Sequence, residues 1–178
     1  MQNYSFMKRF FLVPLFICAN LMAFGQYLTP GTGVNWTFSD LVQNSGGVVT
    51  FQDGIFTVHQ NLTVSISDTL NVAENITVEL DQNVLVTIKG VLIADAPGQT
   101  TFAASNPALY FKGFRFENSH ASVLRNCLIE YGGGIQIIGS QMTVEGCTIR
   151  YFNRANTTGA LQISVSYTHL TLPTKRIV

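Results

Sequence analysis

The acidic and histidine side chains of the central part of the chain are the first candidates for chemistry. Glu79 and Asp81 stand two residues apart in a strand-like context, and Thr57-Val58-His59 aligns with Thr77-Val78-Glu79. We therefore expect His59 to lie above Glu79, where these groups could bind a cation or act in acid–base chemistry. The simpler interpretation, a solvated turn with one ion pair, is favoured because no third convergent group is evident. His120 is a lone turn histidine and is interpreted in the same way.

Cys127 and Cys147 stand 20 residues apart and are the other candidate reactive groups. If consecutive repeats stack, their Cα atoms fall within the window of about 4.4 to 6.8 Å that a disulfide requires, although parallel Cβ vectors disfavour the bond. We expect both cysteines to be buried and reduced, packing as small hydrophobic residues. Neither His59 nor His120 occurs at zinc-ligand spacing. The sequence therefore assigns no catalytic, cofactor-binding or metal-binding residue, and no cofactor.

The composition limits the class of protein and its partners. The chain has 178 residues, enough for one domain, and 47% of them are apolar while 11% are charged. The charged fraction is less than half of the roughly 25% of an average soluble domain, so most of the chain must lie in strands or core. Residues 26–164 contain ten acidic and six basic residues, a net charge of −4. Nucleic acid and anionic membranes, which require clustered Lys and Arg, are therefore not expected partners.

An internal repeat is the strongest pattern in the sequence. Residues 124–131 (LRNCLIEY) match residues 144–151 (VEGCTIRY) at an offset of 20. A second alignment at an offset of 22 places five apolar residues over five others: Leu62, Val64, Ile66, Leu70 and Val72 over Val84, Val86, Ile88, Leu92 and Ala94. Apolar residues alternate with mostly polar ones, which is typical of short half-buried strands.

A third set of matching segments extends the repeat to Ile163. Phe114-Arg115-Phe116, Ile135-Gln136-Ile137 and Leu161-Gln162-Ile163 follow at offsets of 21 and 26, and the longer step contains the extra loop Asn153 to Thr158. Short strands that cannot bury a face alone form a continuous core when successive turns stack. We therefore predict an all-β right-handed parallel β-helix, with a β-sandwich as the alternative.

Stacked repeats bring outward side chains into ladders. An offset of 20 places Arg125 beside Glu145 and Glu130 beside Arg150. Opposite charges in both pairs indicate a structural register rather than a catalytic pair of acids.

The segment from Trp36 to Gly47 predicts a short helix that caps the first coil. Thr37 is the expected N-cap with Asp40 three residues later, a variant of the capping box. Phe38, Leu41 and Val42 share one helical face, Trp36 can pack on Leu41, and Gly46-Gly47 ends the helix.

The two ends of the chain are interpreted separately from the fold. Residues 1–25 have the Lys8-Arg9 charges, the apolar run and the small residues of a signal peptide, with cleavage expected before Gln26. Residues 26–60 form the N-terminal cap and first strands, and 61–164 form the repeats. Val165 to Thr174 (VSYTHLTLPT) resembles a translated sequencing-library adapter, so we interpret 165–178 as an artefact that truncates the protein.

From about Asn61 to Ile163 the chain resembles the right-handed parallel β-helix repeats of secreted bacterial proteins. The turns at Asn126-Cys127 and Gly146-Cys147 are most similar to the repeat of that family. The signal peptide and low charge resemble members that carry a type IX secretion sorting domain.

The resemblance implies a secreted or cell-surface module with a structural, adhesive or glycan-contacting role. Polysaccharide or a cell-surface glycan is the expected partner, and no membrane insertion is expected after signal cleavage. Outward polar residues, among them Arg115, Gln136 and Gln162, favour this interpretation. The alternative is a polysaccharide lyase or glycoside hydrolase whose catalytic coils lie beyond the truncation, because fold alone does not define activity. Asp68-Thr69-Leu70 is similar to a bacterial O-glycosylation triplet, a match short enough to arise by chance.

Overall fold

The computed structural model describes residues 25–152 and 159–164, which form a parallel β-solenoid around one apolar core. The predicted all-β parallel β-helix is confirmed, and the β-sandwich alternative is wrong because its sheets would be antiparallel. Residues 1–24, the loop Asn153 to Thr158 and the adapter-like residues 165–178 lie outside the described residues, as do the predictions made for them.

The strands form three sheets, each of which receives about one strand from every coil. The first sheet contains β1 (Tyr27–Leu28), β5 (Leu62–Val64), β8 (Leu85–Ile88), β11 (Gly113–Glu117), β14 (Ile135–Ile138) and β17 (Leu161–Ser164). The second contains β2 (Asn35–Trp36), β6 (Thr69–Val72), β9 (Val91–Ala94), β12 (His120–Arg125) and β15 (Gln141–Glu145). The third contains β3 (Val49–Gln52), β4 (Ile55–Val58), β7 (Thr77–Leu80), β10 (Thr100–Ala104), β13 (Cys127–Glu130) and β16 (Thr148–Arg150). Neighbouring strands are parallel except in the β3–β4 hairpin.

Alternation along each strand explains why these short segments form a stable stack. Val78 and Leu80 of β7 are buried, whereas Thr77 and Glu79 between them are partly exposed. One strand buries little area alone, but each coil covers the apolar face of the next, so the inward columns merge into one core. Phe102, Phe116 and many aliphatic side chains of this core are almost completely buried.

The repeat offsets of the later coils agree with the sequence. Leu124 pairs with Val144 and Ile129 with Ile149, which confirms the offset of 20. The segments beginning at Phe114, Ile135 and Leu161 also stack as predicted.

The predicted register of the earlier coils is wrong in the first sheet. Leu70 pairs with Leu92 at the expected offset of 22, but Leu62 pairs with Val86 at an offset of 24. The path from Leu80 to Val86 is two residues longer than the equivalent path from Val58 to Leu62. The path from Ile88 to Val91 is two residues shorter than that from Val64 to Thr69, which restores the offset of 22. Ile66, predicted to face inward, therefore lies in a turn with 69% of its surface exposed.

The capping helix α1 (Phe38–Asn44) is confirmed in its cap and its packing. The Thr37 hydroxyl accepts the Asp40 N–H, and the Asp40 carboxylate accepts the Thr37 N–H, which completes the capping box. Phe38 and Leu41 are buried against the core, and Val42 packs partly against it. Trp36 lies in β2, two residues before the helix begins, and its side chain is buried. No helix among the described residues has the length and hydropathy of a membrane span.

The buried carboxylate of Asp68 in the second coil is hydrogen-bonded to the backbone of the first coil. Asp68 is 0% exposed, and its carboxylate accepts backbone N–H groups from Gly31, Gly33 and Val34 at 2.8 to 3.0 Å. Gly31 and Gly33 adopt φ of 72° and 78°, left-handed conformations that turn successive N–H groups toward one anion. Burial opposes ionisation, but the hydrogen bonds from Thr29 and the loop outweigh it and lower the pKa of Asp68. This residue is therefore a structural clamp, not an exposed modification site.

Candidate functional site

One corner of the solenoid carries polar or aromatic side chains in every coil. It consists of the turns that lead from the third sheet to the first sheet of the next coil. We call it the polar corner, and its side chains are His59, Gln60, Asn61, Asp81, Gln82, Asn83, Ser105, Tyr110, Tyr131 and Tyr151.

The first of these residues corrects a sequence prediction. His59 does not lie above Glu79, because β4 pairs with β7 at an offset of 22, with Thr57 beside Glu79. The next position in this register is His59 beside Asp81, and the His59 Nδ1–Asp81 Oδ2 distance is 2.8 Å. The assumed offset of 20 was correct only for the later coils.

His59 and Asp81 belong to a longer chain of hydrogen bonds. Thr50 Oγ1 lies 2.9 Å from His59 Nε2, and the Ser105 hydroxyl donates to Asp81 Oδ1 at 2.7 Å. With a proton on Nδ1, neutral His59 donates to Asp81 and accepts from Thr50. The hydroxyl of Thr50, the imidazole of His59 and the carboxylate of Asp81 occur in the order found in a catalytic triad. Here, however, the side chains of His59 and Asp81 are 39% and 38% exposed, so water competes for each hydrogen bond. The series of hydrogen bonds therefore serves as a structural link, or tie, between three successive coils.

A cavity opens beside this tie. It has a volume of about 160 Å³ and is lined by His59, Gln60, Asn61, Gln82 and Asn83 among others. The Asn61 side-chain carbonyl accepts the Leu85 N–H at 2.8 Å. The side chains of Gln60, Gln82 and Asn83 form no hydrogen bond with any described residue, so their amide donors and acceptors are available to a ligand.

Stacked tyrosines continue the polar corner along the later coils. The rings of Tyr131 and Tyr151 lie 5.0 Å apart with an interplanar angle of 14°, and Tyr110 lies 6.4 Å from Tyr131. The Arg150 guanidinium lies 5.4 Å from the centroid of Tyr151. Both stacked tyrosines have positive φ, 57° and 53°, which is uncommon for bulky residues. The backbone of both turns is therefore held in a left-handed conformation that is unfavourable for a tyrosine. The side chain of Tyr151 is 56% exposed.

The predicted charge ladders are confirmed. Arg125 Nε lies 3.0 Å from Glu145 Oε2, and Arg150 Nε lies 2.5 Å from Glu130 Oε2. Arg125 also reaches Asp95 at 2.6 Å, a partner 30 residues away that the 20-residue pattern could not indicate. Because these arginines are solvated, the pairs set the register of the coils more than they stabilise the fold.

The polar ladder of the first sheet is also confirmed, although its arginine is engaged. Arg115, Gln136 and Gln162 pair in register, and the Gln136 amide donates to Gln162 at 3.3 Å. Arg115 Nε lies 2.6 Å from Glu117 Oε1 on the same strand.

The third sheet places two outward carboxylates in one column. Ala103 pairs with Glu79 on one side and with Glu130 on the other, so the Cα atoms of the glutamates are separated by two strand spacings, about 9.6 Å. An inverting pair of catalytic acids needs its carboxyl groups about 6.5 to 9.5 Å apart. Glu130, however, is held by Arg150, which favours a structural role.

The remaining candidates occupy separate places. His120 is exposed at the start of β12, opposite Gln141. No disulfide joins Cys127 and Cys147; Cys127 is buried, as predicted, but Cys147 is only half-buried. In the described parts of the chain, no three His, Cys, Asp or Glu side chains are grouped closely enough to share a metal ion.

Sequence reasoning missed Thr50, Ser105 and the amides that line the cavity. Thr50 reaches His59 across the β3–β4 hairpin, and Ser105 reaches Asp81 at an offset of 24, so neither follows the repeat that was visible. Comparison of the chain with family models, with curated proteins and with solved structures finds no match.

Proposed function

We propose that this protein is an exported β-solenoid that binds a polysaccharide or cell-surface glycan through the polar corner, as a structural or adhesive module. The observation that carries the proposal is the cavity lined by Gln60, Gln82 and Asn83, whose amides are unpaired among the described residues.

The chemistry of the corner suits a sugar. Each glycan hydroxyl is both a donor and an acceptor, and a primary amide offers both functions on one planar group. Asn61 and His59 are fixed by hydrogen bonds beside these amides, so part of the surface is ordered before a ligand arrives. Tyrosine rings add apolar area with a polar edge. The net charge of −4 between residues 26 and 164 favours neutral glycans over strongly acidic ones.

Export is the second part of the proposal and rests on residues 1–25, with the type IX route implied by the family resemblance. We expect protein recovered from the cell surface or medium of its host to begin at Gln26, because Ala23-Phe24-Gly25 supplies the small residues that a signal peptidase requires. N-terminal sequencing of that material measures this directly. Retention of the protein inside the cell with an intact Met1 would contradict export.

The binding proposal is tested with the purified protein on an array of neutral and acidic glycans. We expect a related set of neutral glycans to be retained. Gln82→Ala combined with Asn83→Gly should weaken binding at least about tenfold, a loss of about 1.4 kcal/mol. Glycine keeps the positive φ of 65° at position 83, so the turn is preserved.

The matched control removes an amide from a different face. Gln136 was a candidate glycan contact in the sequence, but its amide donates to Gln162 in the first sheet, so Gln136→Ala should leave binding at the polar corner unchanged. Retention of no glycan, or an equal loss in the control, would overturn the proposed site. Release of new reducing ends from a bound polysaccharide would instead support the hydrolase alternative.

A further inference from the structure

The two cysteines occupy equivalent positions in consecutive coils. Leu128 pairs with Thr148, so Cys127 and Cys147, one residue earlier in each coil, are neighbours across the stack. The spacing of adjacent strands places their Cα atoms about 4.8 Å apart, inside the window that a disulfide accepts, about 4.4 to 6.8 Å. The Cα separation therefore permits a disulfide, and because the Cβ vectors are parallel the two coils must shift locally to close it.

The two sulfur atoms share a small polar environment. The Cys127 thiol lies 3.3 Å from the Arg125 carbonyl oxygen, and the Cys147 sulfur lies 3.3 Å from that of Leu124. A hydrogen bond between the two side chains lowers the pKa of Cys147 to about 6 despite its partial burial. The same hydrogen bond, together with burial, raises the pKa of Cys127. Of the two thiols, Cys147 is therefore the one that loses its proton more readily.

Access to solvent differs in the same direction. Cys127 is 0% exposed, whereas Cys147 is half-buried in the last described coil. A reagent in solvent can therefore reach Cys147 more readily than Cys127. An accessible thiol with a second thiol at the equivalent position of the neighbouring coil is the arrangement of an attacking and a resolving cysteine.

We propose that Cys147 and Cys127 form a thiol–disulfide exchange site that reacts with small disulfides, Cys147 attacking and Cys127 resolving. The Cys147 thiolate attacks one sulfur of the reagent, forms a mixed disulfide and releases the first reagent thiolate. Cys127 then loses its proton to solvent and attacks the Cys147 sulfur. The second reagent thiolate leaves, and the Cys127–Cys147 disulfide remains. Two electrons pass from the cysteines to the reagent disulfide, and the product links two coils covalently. The site is independent of the polar corner.

The test uses 5,5′-dithiobis(2-nitrobenzoate) on the folded protein in a Cys18→Ser background, which removes the third cysteine of the chain. We expect two equivalents of the coloured thiolate to be released per chain, with no label retained. Trypsin cleaves after Arg125 and Arg150, so residues 126–150 carry both cysteines in one peptide. That peptide should be lighter by two hydrogen atoms, about 2 Da, than its reduced form and should regain this mass with dithiothreitol.

Two variants separate the roles of the cysteines. Cys127→Ser should release one equivalent and retain one label on Cys147, and Cys147→Ser should react at least about tenfold more slowly because Cys127 is buried. Stable double labelling of the folded native chain, without an internal disulfide, would overturn the proposal. The peptide mass of the native chain decides the question even if a variant fails to fold.

Discussion

Asp68→Asn is expected to lower the free energy of unfolding by about 3 kcal/mol, which corresponds to about 6 to 12 °C in Tm for a chain of this size. The carboxylate of Asp68 receives three backbone N–H groups of the first coil while it is fully buried. The amide that replaces the carboxylate carries no charge. Its NH2 group would face one of the backbone N–H groups, and two donors cannot form a hydrogen bond with each other. Urea unfolding followed by the fluorescence of Trp36, the single tryptophan of the chain, measures the change close to the clamp.

Glu74→Gln is the matched control because it makes the same chemical change at an exposed carboxylate. We expect it to change the stability by no more than a few tenths of a kcal/mol. Equal stability of the Asp68 and Glu74 variants would show that the loop from Thr29 to Val34 does not depend on a buried anion.

The pH dependence of stability provides a second measurement on the same clamp. The folded-state pKa of Asp68 is lowered relative to the unfolded chain, so its contribution is fully present above the unfolded value of about 3.9. That contribution is lost as the pH falls from this value through the lower folded-state pKa. The urea midpoint of the wild type should therefore fall more steeply below about pH 4 than that of Asp68→Asn.

Gly113→Ala is expected to cost about 3 to 5 kcal/mol, because two separate effects coincide at this position. Gly113 has a φ of 102°, a conformation that L side chains rarely adopt. A Cβ atom there would overlap the carbonyl oxygen of Gly134 in the next coil and approach the Gly134 nitrogen to 3.0 Å. Backbone atoms cannot move aside as a side chain can, so the coils must separate locally. Thermal unfolding followed by far-ultraviolet circular dichroism measures the loss.

Gly54→Ala isolates the conformational part of that cost. Gly54 lies in the β3–β4 turn with a φ of 83°, and an added Cβ atom would meet nothing within 4 Å. We expect a loss of about 1 to 2 kcal/mol from backbone strain alone. If Gly113→Ala proves no more damaging than Gly54→Ala, the tight stacking of coils at this corner is not a determinant of stability.

The sequence predicted the repeat architecture because apolar alternation is the direct signature of a strand with one buried face. The offset of 20 could be read because Cys, Ile and Tyr recur between residues 124–131 and 144–151. The capping helix followed from Thr37 and Asp40, whose reciprocal hydrogen bonds are local in sequence.

The error in the earlier coils has a specific cause. A shift of two residues keeps every side chain on the same face of a strand, so alternation cannot distinguish an offset of 22 from one of 24. Leu62 consequently pairs with Val86 rather than Val84, although Val84 is also buried. The same difficulty placed His59 opposite Glu79 instead of Asp81.

The candidate site could be predicted only in part, since its key contacts depend on turn lengths. Asp68 is held by backbone donors about 35 residues away, and the only sequence signal for them is Gly31 and Gly33. The amides of Gln82 and Asn83 acquire significance only when the turn that carries them is placed beside Gln60. Composition and periodicity contain no information on such a juxtaposition.

The central claim is that the polar corner is the surface that binds glycan, and NMR of the ¹⁵N-labelled protein tests it most directly. Titration with an oligosaccharide retained on the array should shift the side-chain amide signals of Gln60, Gln82 and Asn83. The signals of Gln136 and Gln162, on the first sheet, should stay in place. Shifts confined to Gln136 and Gln162, with the corner amides unchanged, would contradict the account.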